Sequence, residues 1–217
     1  MTAAFTGIPL AALDFYEDLE DDNSKTFWSA HKQVYDEQVR APIEALAAAL
    51  SVEFGPAKIF RPFRDVRFAK DKTPYKTHQG VWFDQSRTYL DISAAGLRVA
   101  AGYWQTAADQ IARMRRAVAD EVAGAELQRA LDAVRQARFE IGGATLTRVP
   151  SGYEKDHPRA DLLRHKTLTA QRLYGAPSWL STARARGEIA KAWRALAPLT
   201  GWLDTHVGPS DQPAHRR

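Results

Sequence analysis

The order in which the hydrophobic period changes along the chain constrains its fold most strongly. Apolar residues at helical spacing run through residues 9–50, where Pro42 is expected to kink or divide the second helix. A period of two follows in GVWF, TYLDIS and LRVAAGYW, and the last two stretches form a predicted hairpin. Because strands follow strands here, the pattern predicts an α+β fold with a mainly antiparallel sheet packed with helices, rather than a doubly wound parallel sheet.

The second half of the chain repeats this grouping of like elements. Its predicted elements are, in order, helices over 111–118 and 127–134, strands in RFEIGG and TLTRV, a helix over 156–164 and a strand in KTLTAQRLY. Residues 177–207 are predicted to form a terminal helical segment that Pro198 and Gly201 break. Long helical segments are therefore expected at both ends of the fold.

Length and composition bear on domain organisation and location. The 217 residues, of which 45% are hydrophobic, can bury a core, and a mean hydropathy of −0.42 argues against a membrane protein. We expect a single α+β domain over residues 1–207 and a flexible polar tail over residues 208–217. No basic flank precedes the short apolar stretch at the N-terminus, so no secretory signal is expected. The absence of Cys fits a cytoplasmic protein.

The usual cofactor and metal fingerprints do not occur in the sequence. There is no P-loop, no dinucleotide-binding glycine motif and no nucleophile elbow, and no two His residues have the spacing of a helical zinc site. Without Cys there is neither a thiol nucleophile nor a thiolate zinc site. We therefore expect no metal and no cofactor.

Residues 61–78, RPFRDVRFAKDKTPYKTH, concentrate positive charge; we call them the basic segment. No register of this stretch buries its charges on one face, so an anion is a natural counterweight. Lys offers a point charge, Arg a planar fork for two oxygens, and Tyr a hydroxyl or a stacking face. The predicted ligand-binding residues are Arg64, Arg67, Lys70, Lys72, Tyr75 and Lys76.

Two other interpretations of the basic segment stay open. It can be a solvated loop in which Arg64, Asp65 and Arg67 pair locally, since such surface pairs contribute only about 0 to 1 kcal/mol each. It can also meet an acidic protein surface, for which the six acidic residues of the stretch 14–22 are one candidate within the chain itself.

Candidate catalytic residues come from outside the basic segment. His157 and Lys166 belong to a second polar cluster over 153–166, which would share a cleft with the basic segment, and His31 lies in the long predicted helix. A His is the ordinary general acid or base near neutral pH, although each of these residues also has a purely structural interpretation. Tyr89 and Tyr103 on the hairpin could form a stacking platform for bases, with packing in the sheet as the alternative.

Three segments carry a family resemblance: FWSAHKQVYDEQVRAPIEAL, FRPFRDVRFAKDKTPYKTH and VPSGYEKDHPRADLLRHKTL. Together they resemble the microbial family known as domain of unknown function 2461, over nearly the whole chain. The most specific run is RDVRFAKDKTPYKTH. The resemblance implies no particular activity. The family pattern usually has Asn where His78 stands, which argues against a special role for His78.

These observations favour a cytoplasmic anion-binding protein with a basic cleft built on residues 61–78. Its ligand would be a phosphorylated small molecule or a nucleic-acid backbone. One alternative is a protein-interaction module, and a second is an enzyme with metal-free acid–base or phosphoryl chemistry. No membrane partner is expected, and the sequence decides neither the oligomeric state nor whether the protein is an enzyme.

Overall fold

The structure, a computed structural model, describes residues 4–212, which divide into two compact units. The first unit comprises residues 4–99 and 173–192, and the second comprises residues 100–172 and 193–212. The single domain expected over residues 1–207 stays a prediction. Within residues 4–212, no helix combines the length and the apolar composition that a membrane crossing requires.

Within the described range 4–212, six strands form one antiparallel sheet in the order β1-β2-β3-β4-β6-β5, which confirms the predicted α+β class. The strands are β1 Ala57–Ile59, β2 His78–Phe83, β3 Thr88–Ser93, β4 Gly96–Tyr103, β5 Glu140–Gly142 and β6 Leu168–Gly175. The predicted strand in TLTRV is wrong, because only Thr145 pairs there, in an isolated bridge with His165.

Three helices of the first unit precede the sheet: α1 Ala11–Asp21, α2 Lys25–Val34 and α3 Ala41–Phe54. The Oγ of Ser24 accepts a hydrogen bond from the backbone N–H of Phe27 at 3.0 Å and so caps α2. A π-helical turn, Tyr35–Arg40, separates α2 from α3, and Pro42 lies in the first turn of α3. The backbone stays helical at Val34, Tyr35, Arg40 and Ala41, so the chain is not divided at Pro42, and the π-helical turn lies directly before this proline.

The core of the first unit lies on one face of the sheet. Side chains alternate between the faces of a strand, so Val81 and Phe83 of β2 share a face with Leu90 and Ile92 of β3. All four are at most 1% exposed. On the same face, Gln79 accepts a 2.6 Å hydrogen bond from the Tyr35 hydroxyl of the helical layer. This face of β2 and β3 therefore packs against the helical layer of the first unit.

The second unit contains α4 Ala108–Ala119, α5 Glu121–Gln136, α6 Ala160–Leu163 and the C-terminal part of α7 Arg184–His206. The predicted break of α7 at Pro198 and Gly201 is wrong, since the helix continues through both residues. Its flanking side chains are deeply buried, and the Trp202 indole N–H donates to the Ala123 carbonyl at 2.8 Å. This packing outweighs the hydrogen bond that Pro198 removes.

The chain after α7 is tied to α4 as far as it is described. The Arg113 guanidinium donates to the carbonyl of Val207 and pairs with Asp211 at 2.9 Å, and the Ser210 hydroxyl donates to Asp109 at 2.8 Å. Residues 213–217 lie outside the described residues, so the flexible tail stays a prediction.

Candidate anion-binding surface

The basic segment folds as a narrow loop in the first unit. Its two arms are joined by the backbone N–H of Arg64, which donates to the Pro74 carbonyl, and that of Lys76, which donates to the Pro62 carbonyl, both at 2.8 Å. An isolated antiparallel bridge between Phe63 and Tyr75 lies between these bonds. The loop therefore has a closed base from which its charged side chains project.

Tyr75 anchors this base. The ring is 6% exposed and stacks on Trp28, with centroids 4.2 Å apart and planes 7° from parallel. The Asn23 side chain donates to the Tyr75 carbonyl at 3.1 Å and accepts from its backbone N–H at 3.0 Å. One face of the Tyr75 ring thus packs on Trp28. The contact between Tyr75 and a ligand stays a prediction.

The two Arg residues of the predicted site form ion pairs within the loop. Arg67 holds Asp65 through two hydrogen bonds of 2.9 and 2.7 Å, as the local-pairing interpretation expects, whereas Arg64 pairs with Asp71. The side-chain hydrogen bonds from Arg67 lower the pKa of Asp65 to about 2. A backbone hydrogen bond from Thr73, and then one from Arg64, lower the pKa of Asp71 to about 2. Their charges are therefore largely balanced locally.

The other cations in and next to the basic segment are not balanced in this way. Within residues 4–212, none of them pairs with a carboxylate; they are Lys58, Arg61, Lys70, Lys72 and Lys76. Lys72 donates to the Val66 carbonyl at 2.9 Å, and Lys76 to the Arg61 carbonyl at 3.0 Å. Burial, and then Arg61, lower the pKa of Lys76. We call these five side chains the unpaired cations.

A second feature, which sequence analysis missed, is the sheet face opposite the core. Trp82 is the cross-strand partner of Tyr89, and Gly80 is that of Asp91. The Asp91 side chain is 3% exposed and receives two contacts from the Arg98 guanidinium, at 2.8 and 2.7 Å. A lone acid amid apolar residues in TYLDIS, with an Arg seven residues later across a hairpin, was the available sequence signal. We call this face of β1–β4 the polar sheet face.

The aromatic rings of the polar sheet face lie low over its strands. A Cβ on Gly80 would come within 2.5 Å of the Tyr89 hydroxyl and 3.1 Å of the Phe60 ring, so both side chains cover this glycine. The centroids of these two rings are 6.4 Å apart. Burial, and then the Asp91 carboxylate, raise the pKa of Tyr89, so its hydroxyl is protonated at neutral pH.

The polar sheet face adjoins the unpaired cations. Lys58 is the cross-strand partner of Trp82, and its Nζ lies 5.6 Å from the centroid of the Phe60 ring. The Nζ of Lys76 lies 5.3 Å from the same centroid. At this distance an ammonium is attracted to the ring face. Two of the unpaired cations, Lys58 and Lys76, thus border the rings of the polar sheet face.

His78 begins β2 at one end of this surface and is half-buried. Burial lowers its pKa, and the charges of Arg98 and Lys76 lower it further against the opposing effect of Asp91. The imidazole is therefore neutral at pH 7 and adds no charge to the surface.

The three candidate catalytic residues are divided between the two units. His157 and Lys166 belong to the second unit, where His157 Nδ1 accepts a hydrogen bond from the Arg159 backbone at 3.0 Å. His31 stacks on Phe27 at 4.0 Å, a packed position in the first unit. The shared cleft and the catalytic roles of all three residues stay predictions.

The proposed platform of Tyr89 and Tyr103 has one buried member. Tyr103 is 5% exposed and its hydroxyl donates to Asp204 at 2.8 Å, as the packing alternative expects.

The second unit also has an open groove of about 420 Å³ between α5 and α7, in which His206 Nε2 lies 3.4 Å from the Glu126 carboxylate. No group of three or more potential metal ligands occurs within residues 4–212.

Comparison with known proteins adds a family and no activity. The family profile described as "Conserved hypothetical protein (DUF2461)" matches residues 11–202. No curated protein and no solved structure matches the chain.

Proposed function

Because the chain belongs to the conserved hypothetical protein family DUF2461, whose description names no activity, we propose a function from its own residues. The protein binds a phosphate-bearing ligand, a phosphorylated small molecule or a nucleic-acid backbone, at the basic segment and the adjoining polar sheet face. The proposal includes a cytoplasmic location and does not include a catalytic step.

The unpaired cations carry the proposal. Within residues 4–212, five positive side chains without a carboxylate partner fall within nineteen positions of sequence, from Lys58 to Lys76, in a stretch that also includes the balanced Arg64 and Arg67. Burial, and then the charge of Arg61, lower the pKa of Lys76, and a multivalent anion would relieve the repulsion between these two cations. Lys72 and Lys76 are already oriented by backbone carbonyls, so binding would cost less side-chain entropy.

The acidic stretch 14–22 does not supply the missing negative charge. No ion pair joins it to the basic segment within the described part of the chain. Asn23, which directly follows this acidic stretch, forms two hydrogen bonds with the Tyr75 backbone. An external anion therefore remains the better counterweight.

A thermal-shift titration tests the proposal. The probes are inorganic phosphate, inorganic polyphosphate, nucleotides and short oligonucleotides, applied to wild type and to Lys72→Ala/Lys76→Ala. A ligand at about a hundred times its dissociation constant adds roughly 2.7 kcal/mol, or roughly 5 to 10 °C for a chain of this size. The double variant should lose most of this shift.

The matched control is Lys25→Ala/Lys191→Ala, which removes two exposed Lys residues of the first unit outside the basic segment. This variant should keep the wild-type shift, and Lys72→Arg/Lys76→Arg should keep most of it. Equal losses in both Ala variants would mean that only net charge matters. No shift with any probe would reject the proposal.

Phe68 favours a second candidate function, a protein-interaction module. Its side chain is 97% exposed at the tip of the basic segment, where Arg67 and Lys70 flank it. An exposed aromatic ring among cations can anchor an acidic protein surface. A photo-crosslinking residue at position 68 tests this: repeated capture of one acidic protein, lost on mutation of Lys70 and Lys72, supports it, and the absence of any protein adduct rejects it.

A further inference from the structure

We propose that the ligand is a single-stranded nucleic acid, whose bases stack on Phe60, Trp82 and Tyr89 while its phosphates contact the unpaired cations. This inference rests on the proposed function and specifies its ligand. It follows from the polar sheet face, which combines half-buried rings, bordering cations and little uncompensated negative charge.

The rings occupy neighbouring places on adjacent strands. Trp82 and Tyr89 are direct cross-strand partners, so their Cβ atoms are about 5 Å apart. Phe60 follows β1 and lies opposite Gly80, in the cross-strand row next to that of Trp82 and Tyr89, with its centroid 6.4 Å from that of Tyr89. All three side chains are partly exposed, and they lie on the face opposite the core residues of β2 and β3. Successive bases of a nucleic-acid strand can stack on such a group of neighbouring rings.

Gly80 explains how two of the rings approach each other over β2. Since it has no side chain, Tyr89 and Phe60 lie across the strand at this point, where a Cβ would collide with the Tyr89 hydroxyl. Asp91 and Arg98 lie next in the same cross-strand row and interact with Tyr89. The absence of a side chain at position 80 therefore brings two of the proposed stacking rings together.

The charge pattern matches a phosphate backbone that borders stacked bases. Lys58 and Lys76 lie over the Phe60 ring, 5.6 and 5.3 Å from its centroid. A base that stacks on this ring would displace the two ammonium groups, which would then contact the adjoining phosphates. Among residues 4–212, two carboxylates adjoin the rings. Asp91 is covered and neutralised by Arg98, and Asp84, which accepts from the Trp82 indole N–H at 3.2 Å, pairs with Arg87 at 2.9 Å. A duplex keeps its bases paired inside, so aromatic stacking selects an unpaired strand.

Fluorescence anisotropy with a labelled 12-nucleotide dT strand tests this inference. The comparison probes are a duplex of the same length and inorganic polyphosphate, which has charge but no bases. Wild type should bind the single strand at least tenfold more tightly than the duplex. Its log–log salt slope should approach −0.7 for each phosphate contacted.

The decisive variant is Phe60→Leu/Tyr89→Leu, which keeps apolar volume and removes the rings. It should weaken single-strand binding at least tenfold and leave polyphosphate binding within twofold of wild type. Tyr89→Trp should retain binding, and Tyr174→Leu, which removes a half-buried ring elsewhere in the first unit, should have no effect.

The outcomes separate this inference from the proposed function. Unchanged single-strand affinity in the folded double variant would overturn the stacking model, as would equal wild-type affinity for single strand and duplex. Binding of polyphosphate but not of the single strand would overturn the inference and leave the proposed function standing. If neither probe binds, the inference is rejected, and the proposed function is rejected with it when nucleotides and inorganic phosphate also give no thermal shift. Circular dichroism of each variant establishes that it is folded.

Discussion

Tyr75 and Trp28 stack face to face, with their ring centroids 4.2 Å apart and their planes 7° from parallel. This contact joins the base of the basic segment to α2, across 47 positions of sequence. The loop that presents the cations is therefore held by the core of the first unit, and its position depends on that core.

Trp28→Ala should destabilise the protein by about 3 to 5 kcal/mol, because it empties a buried site and removes the ring on which Tyr75 rests. Urea unfolding monitored by circular dichroism measures the change. Trp104→Ala is the matched control, since that ring is 52% exposed and its loss should cost less than about 1 kcal/mol. Equal costs for the two variants would contradict the buried position of Trp28.

Asp91→Ala should cost about 3 kcal/mol, because it leaves the guanidinium of Arg98 half-buried without its partner. The control is Asp132→Ala, which breaks an exposed pair with Arg135 and should cost about 0 to 1 kcal/mol. The free energy of unfolding in urea gives both values. If Asp91→Ala is as mild as the control, the pair is solvated and the description of the polar sheet face fails.

Gly80→Ala should destabilise the protein by about 1 to 3 kcal/mol, because its Cβ would lie 2.5 Å from the Tyr89 hydroxyl. The new methyl group should also displace the Tyr89 ring, which an NMR chemical-shift change at that residue would report. Gly201→Ala should instead stabilise by about 0.5 to 1 kcal/mol, because within residues 4–212 its added Cβ would meet no atom within 4 Å other than the adjacent backbone of α7 itself. A neutral Gly80→Ala would show that Tyr89 does not lie over this position.

His78 should make stability depend on pH below neutrality. Its pKa in the folded protein is lowered by burial and by Arg98 and Lys76, whereas in the unfolded chain it titrates near 6.5. The unfolded state therefore takes up the proton first as the pH falls. The stabilising contribution of the neutral imidazole is complete above about 6.5 and is lost as the pH falls through the folded pKa.

Urea unfolding of wild type and His78→Asn between pH 7.5 and 5 tests the direction of this pH dependence of stability. The advantage of wild type over the variant should shrink as the pH falls, while the other His residues contribute equally to both proteins. Parallel stability curves would show that burial does not shift the His78 pKa.

Much of the secondary structure was predictable because it depends on near neighbours. The period of two in TYLDIS and LRVAAGYW is satisfied by β3 and β4, and Ser24 caps α2 within its own turn. The basic segment was recognisable because its charges and prolines have no buried register. The errors came where distant packing decided: α7 continues through Pro198 because its flanks are buried, and TLTRV has no partner strand to extend its single bridge.

The sequence by itself determined the class of fold, the irregular basic segment and its excess of positive charge, since composition and local periodicity are enough for these. Only the tertiary structure decided that Arg64 and Arg67 are balanced by nearby acids, that Tyr75 rests on Trp28, and which cations stay unpaired. It alone placed Tyr89, Asp91 and Arg98 on one face beside Lys58. Such groupings depend on strand register and on contacts between residues far apart in the chain, which local pattern cannot specify.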